Sequence, residues 1–351
     1  MSIRPQIREL PPYDYEPGPE GVKLDQNELP FDLPPRLREA VLERVQALEF
    51  NRYPELDSFT LRSEIARLHD WPVEGVVVTP GSNVLIRSLV IAAGIGQAVL
   101  SVRPTFSVYA QQARMLGAPL VEVPLLPGFE LPVDDLEREM EGGTGVLFLA
   151  NPAAPTGNLH GRAAIERLIR AAGESWTVVL DEAYCEFAGG DLRDLARRPG
   201  VISLRTFSKA FGAAGVRLGY ALATPELAGH VRKTVLPFNL SALQEAVAHV
   251  LLGNRDLLAA RVRDIVEERE RLMASLQRMS QVRAFPSSAN FLLLEVPEAR
   301  RTHRALQERG ILARYQSQPG LGSTIRVSVG TREQNDAFLA ALNEVLNEVE
   351  G

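Results

Sequence analysis

The chain has 351 residues, 45% of them hydrophobic, and 38 basic residues against 44 acidic ones leave a net charge of -6. That length suffices for a large buried core and for two domains, and the acidic balance argues against a general binder of nucleic acid or anionic membranes. One cysteine, Cys185, excludes an internal disulfide and a cysteine-based metal cluster; with no apolar leader and no run of membrane-spanning length, the expectation is a cytoplasmic protein without a metal site.

In chain order, Leu10-Pro11-Pro12-Tyr13 and Lys23-Leu24-Asp25-Gln26-Asn27-Glu28 read as an arm, and Tyr53-Pro54 as a turn. The apolar run Val76–Thr79 predicts a strand, followed by the turn Pro80-Gly81-Ser82-Asn83 and an apolar stretch that starts a helix. Such a helix start offers free N–H groups to an anion, although glycine turns of this kind are also ordinary punctuation. After a strand at Ala98–Val102 stand Phe106 and Tyr109, which read either as the wall of a site or as core filler. Strands at Leu120–Val123 and Val146–Ala150 precede Asn151-Pro152-Ala153-Ala154-Pro155-Thr156-Gly157.

The run Val178–Asp181 predicts a buried strand that delivers a carboxylate to its C-terminal end, with a helix N-cap as the other use of such an Asp. Strands at Val201–Arg205 and Leu218–Leu222 complete a set of seven with helix-like segments between most of them. The pattern predicts an α/β fold with a mostly parallel sheet, covered by helices and carrying ligands at its carboxyl edge. Pro237 to Ser241 breaks the alternation, and Ala242 to Met279 is helix-prone with an interruption at Gly253-Asn254. This division predicts an N-terminal arm and part of a small domain in 1–50, a large domain in 51–240, and a linking helix with a small α+β domain in 241–351, ending in a helix from Glu333 to Val349. Near the C-terminus Arg314 and Arg326 each sit in a strand-like run; an arginine there is costly unless it meets an anion, though a surface salt bridge accounts for Arg314 almost as well.

Between the last two large-domain strands lies Thr206-Phe207-Ser208-Lys209-Ala210-Phe211-Gly212-Ala213-Ala214-Gly215-Val216-Arg217. An amine attacks an aldehyde only when neutral, and poor solvation beside a cation favours that state. Thr206 and Ser208 offer hydroxyls, Arg217 offers a planar fork of donors, and Gly212 and Gly215 let the backbone approach. Together they read as a phosphate cradle around a reactive amine.

The order S-K-x-x-G-x-x-G-x-R-x-G-Y resembles the cofactor-lysine motif of fold-type I pyridoxal-phosphate enzymes, in particular the class I/II aminotransferases. The run I-R-V-S-V-G-T-R-E around Arg326 and the N-terminal arm resemble the histidinol-phosphate aminotransferase branch. The resemblance spans about Tyr13 to Arg332 and implies a seven-stranded large domain with a smaller α+β domain. It implies that Lys209 carries pyridoxal 5'-phosphate and moves the proton in catalysis, that Asp181 pairs with the pyridine nitrogen, and that Tyr184 donates to the phenolic oxygen. Ser82, Asn83, Thr206, Ser208 and Arg217 would hold the phosphate, and Phe106 would stack on the ring. On the substrate side it implies Arg326 for a carboxylate and Arg314 for a phosphate, with Tyr13, Asn27 and Tyr109 lining the pocket. Tyr53 would reach the partner subunit's cofactor phosphate, which implies a homodimer with shared active sites.

Two departures stand out. Ala154 occupies the position where the family carries an asparagine that bonds the phenolic oxygen, and Asn83-Val84 replaces an acidic pair. The implied reaction is ping-pong transfer of an amino group between L-histidinol phosphate and 2-oxoglutarate, in histidine biosynthesis. The rivals are an aromatic amino acid aminotransferase, a threonine-phosphate decarboxylase, and a non-catalytic cofactor-binding regulatory domain.

Overall fold

The computed structural model describes residues 2–11 and 20–350. Tyr13 lies outside the described residues. A short strand β1 (Val22–Lys23) precedes β2 (Val76–Thr79), β3 (Ala98–Arg103), β4 (Leu120–Pro124), β5 (Gly145–Ala150), β6 (Trp176–Asp181), β7 (Val201–Thr206) and β8 (Gly219–Leu222). Strands β2 to β8 form one sheet in the order β2-β8-β7-β6-β5-β3-β4, in which only β8 runs against its neighbours. The seven strands expected from the apolar runs are all present. Their ends differ where pairing rather than hydropathy decides: β6 starts at Trp176 because that residue pairs with Gly145 of β5.

Helices on both sides bury the central strands completely, as in β5 and β7, and alternation sorts their side chains onto two cores. Val78, Leu147, Leu149, Val178 and Leu180 enter one core; Val77, Val146, Phe148 and Val179 enter the other. From β3 the chain runs outward to β4 and returns to place β5 on the other side of β3. A crevice opens where the winding reverses, at the carboxyl ends of the parallel strands. The segments after β2, β3, β5, β6 and β7 all project toward that edge.

A second sheet holds β9 (Arg283–Ala284), β10 (Phe291–Glu295), β12 (Arg314–Tyr315) and β13 (Thr324–Ser328), antiparallel in the order β12-β13-β10-β9. The pair β1 and β11 (Ile311–Leu312) runs alongside in parallel. Its core combines Leu292, Leu294, Ile325 and Val327 with Leu272, Leu276, Phe338 and Leu342 from the long and C-terminal helices. Helices Ala242–Gly253 and Arg255–Leu276 meet at Asn254, the expected interruption. The first of them starts on a capping box between Ser241 and Gln244. Gln244 also donates to the carbonyls of Val216 (3.1 Å) and Arg217 (2.8 Å), pinning the end of the lysine loop. Among the described residues no helix is long and apolar enough to cross a membrane.

Phe148 is fully buried and stacks on Tyr109 with ring centroids 4.8 Å apart. Phe148→Ala is expected to cost about 3–5 kcal/mol of stability, read as a lower urea midpoint with native far-ultraviolet circular dichroism retained in buffer.

Candidate active site

A cavity of about 500 Å³ lies over the carboxyl edge of the large sheet, closed on the other side by β12, β13 and the segment Asp25–Glu28. Of the residues singled out in the sequence, those on its wall include Lys209, Asp181, Tyr184, Phe106, Ser82, Asn83, Thr206, Ser208, Arg217, Arg314, Arg326, Asn27 and Tyr109. Tyr53 is elsewhere: it is 81% exposed and stacks on Phe238 at 4.7 Å.

Lys209 leaves the end of β7 and donates from Nζ to the backbone carbonyl of Gln26 at 2.9 Å. Burial lowers its amine pKa to about 7, with the cations Arg326, Arg217 and Lys23 acting in the same direction and Glu28 against it. A large share of the amine is therefore neutral at ordinary pH. Tyr184 lies beside it, the amine 5.7 Å from the ring centroid.

Asp181 ends β6 deep in the cavity floor. Its Oδ2 accepts from the Tyr109 hydroxyl at 2.6 Å and its Oδ1 from the Ala183 N–H at 3.2 Å. Burial pushes its pKa up to about 6, and these two donors oppose the rise. The neighbouring Glu182 faces away because side chains alternate along a strand. It is buried against Ser203 and the guanidinium of Arg205, which also meets Asp191 at 3.0 Å. Two adjacent acids thus do different work: Glu182 ties β6 to β7, and Asp181 is presented to the cavity. Phe106 forms part of the wall nearby and meets Tyr109 edge-on, 5.6 Å between centroids.

At the other end of the cavity the groups are donors. Arg217 holds a left-handed backbone (φ 58°) and gives Nη1 to Ser208 Oγ at 3.2 Å. Thr206 Oγ1 accepts from the Ser208 N–H at 3.0 Å, so the turn before Lys209 is closed. Gly81 precedes helix Ser82–Ala93 with φ 85°, and a Cβ there would lie 2.8 Å from Arg217 Nη2. A Cβ on Gly219 would lie 2.4 Å from the Ser82 nitrogen. Both glycines are needed for the helix start, the loop and the guanidinium to converge. This donor set, with no carboxylate in it, suits a phosphate. With the amine of Lys209 and the carboxyl of Asp181 further along the cavity, the residues fit a phosphorylated, nitrogen-containing aromatic aldehyde.

Arg314 and Arg326 face each other across the β12–β13 ladder and both reach the cavity. Arg326 Nη2 donates to the Asp25 carbonyl at 2.7 Å, and its guanidinium lies 5.4 Å from the Phe291 ring centroid. Two residues expected on the substrate side have other contacts: Tyr109 is fully buried and holds Asp181, and Asn27 is 1% exposed with its Nδ2 on Tyr184 Oη at 2.9 Å. The carbonyls of Asp25 and Gln26 went unforeseen, since backbone contacts made by a distant arm leave no mark in composition. Ala154 belongs to the same small apolar cluster as Tyr184 and lines the cavity with it, and its side chain offers no donor. Cys185 is buried and its thiol pKa is pushed up by burial, in keeping with a structural role.

The family described as aminotransferase class I and II matches residues 19–342. A histidinol-phosphate aminotransferase of Deinococcus radiodurans is 45% identical over 345 residues, covering 97% of this chain and 96% of the relative. One from Thermococcus kodakarensis is 40% identical over 343 residues, covering 97% and 98%. Among solved structures, the histidinol-phosphate aminotransferase of Sinorhizobium meliloti in complex with pyridoxal-5'-phosphate superposes with a TM-score of 0.89 at 24% identity, covering 99% of this chain and 98% of that one.

In cofactor-free protein, the Lys209 amine is expected to titrate near pH 7, measured by NMR after reductive methylation with labelled formaldehyde. Arg326→Gln removes a cation that disfavours the ammonium, so the midpoint should move upward. A wild-type midpoint in the usual lysine range would contradict the geometry.

Proposed function

This chain belongs to the aminotransferase class I and II family, and we propose that it is a cytoplasmic, pyridoxal-phosphate-dependent histidinol-phosphate:2-oxoglutarate aminotransferase of histidine biosynthesis. The observation that carries the substrate assignment is the pair Arg314 and Arg326, opposite each other on adjacent strands in the cavity that holds Lys209. Two guanidiniums serve a phosphate in one half of the reaction and carboxylates in the other, because the planar fork suits both anions. The names of the 45% and 40% identical relatives support the same reading.

Ser208, Arg217 and the N–H groups at Ser82 and Asn83 would hold the cofactor's phosphate, with Thr206 shaping the turn beneath them. Asp181 would face the ring nitrogen, Tyr184 the phenolic oxygen, and Phe106 one face of the ring. Pyridoxal phosphate, when bound, supplies an electron sink that makes the substrate's Cα proton removable. Lys209 Nζ, neutral through burial, would accept that proton from Cα and deliver it to the cofactor's C4' carbon, which is what turns amino donor into keto product. Asp181, as a carboxylate, favours a proton on the facing nitrogen, and Tyr109 keeps it oriented. Arg326 and Arg314 fix the substrate's anionic ends, so that the Cα–H bond is presented to the amine. Because one amine and one pair of arginines serve both halves, the first keto product leaves before the second substrate enters.

Tyr53 supports a homodimer with shared sites. It stacks on Phe238, whose N–H meets the Leu56 carbonyl, and Leu56 lines one concavity with Leu236; all four side chains are exposed, apolar surface that a partner would cover. In that assembly Tyr53 would serve the partner's phosphate site. Leu236→Glu is expected to shift sedimentation from dimer to monomer and to weaken cofactor binding.

The assay for the central reading is glutamate formation from 2-oxoglutarate with L-histidinol phosphate. Lys209→Ala should lower kcat by at least about 10²-fold. Faster turnover with phosphate-free aromatic donors, or carbon dioxide release without a keto product, would overturn the assignment.

A further inference from the structure

We propose that Asn27 is the positioning residue of Tyr184: it sets the direction in which the tyrosine hydroxyl donates, and ties that direction to the four-stranded sheet. The inference rests on the cofactor reading given above. Asn27 Nδ2 donates to Tyr184 Oη at 2.9 Å, so that contact uses the oxygen as an acceptor and leaves its proton to be donated to another group. The phenol lies on the cavity wall, and Ala154, in the same apolar cluster, brings only a methyl to that wall. The amide that orients Tyr184 therefore comes from the N-terminal arm.

Asn27 is held for this task at each of its polar groups. Its N–H donates to Ser328 Oγ at 2.8 Å, its carbonyl accepts from Asn290 Nδ2 at 3.0 Å, and its Oδ1 accepts from Ser328 Oγ at 3.4 Å. With Oδ1 directed at the Ser328 hydroxyl, the Nδ2 face of the amide is turned to Tyr184. Its backbone is left-handed (φ 54°), a conformation asparagine tolerates better than most residues. Ser328 ends β13, two residues beyond Arg326, and Asn290 precedes β10. The strand that presents the substrate arginine thus also fixes the group that orients Tyr184. Movement of that strand on substrate binding would reach the tyrosine through Asn27.

The test uses Asn27→Gly, which removes the side chain and accepts the left-handed backbone, and Asn27→Asp, which keeps the shape but replaces the donor with an acceptor. Both are reconstituted with pyridoxal phosphate. The readouts are the cofactor dissociation constant and the pH midpoint of the visible absorption band. The wild type should bind cofactor. Both variants should bind it about tenfold more weakly and titrate at higher pH, because a phenolic oxygen with a poorly oriented donor holds the proton shared with the lysine nitrogen more firmly. Unchanged midpoints in both variants would overturn the proposal even if thermal stability fell. A wild type that forms no visible band would overturn the cofactor reading, and this inference with it.

Discussion

A lysine amine becomes a useful nucleophile and base near neutrality only if water is kept from it and other cations stand close by. The site meets that constraint by placing Lys209 between two sheets. Its loop descends from β7, Arg217 follows at the end of the same loop, and Arg326 approaches from β13. Burial and these charges bring the amine to about pH 7, and the Gln26 carbonyl gives it a hydrogen-bond partner there. Neither sheet alone creates this environment. The fold-type I architecture supplies it by closing the small sheet and the N-terminal arm over the carboxyl edge of the large one.

The same constraint accounts for the glycines and for the buried ion pair beneath the loop. Gly81 and Gly219 leave room for Arg217 and for the start of helix Ser82–Ala93, and Gln244 holds the far end of the loop by two carbonyls. Arg205, buried between Glu182 and Asp191, fixes β7 just before the lysine turn. Desolvating such charges is costly unless every one is paired, and here the pairing coincides with the place where position matters most. Tyr109, stacked on Phe148 and bonded to Asp181, gives the acid comparable support on the other side.

Much of this was legible in the sequence, for physical reasons that differ by residue. The seven large-sheet strands show as short apolar runs because both their faces are buried. Lys209, Arg217 and Asp181 show because a charged or reactive group beside such a run needs an explanation. Asn27 and Tyr109 both line the cavity, but their own hydrogen-bond partners were not foreseen. Asn27 meets Tyr184 and Tyr109 meets Asp181 across long stretches of chain, and hydropathy carries no information about which side chains meet through space. At position 154 the side chain on the cavity wall is a methyl, which carries no donor. What the sequence did not reveal is that the arm brings another amide to Tyr184.

The central claim is that Lys209 is the amine that captures the cofactor. The chain has three lysines, Lys23, Lys209 and Lys233, which makes the claim directly measurable. Borohydride reduction of the pyridoxal-phosphate-loaded protein, followed by peptide mass mapping, should place the phosphopyridoxyl group on Lys209 alone. Label on Lys23 or Lys233 with Lys209 unmodified, or no label on any lysine, would contradict the account.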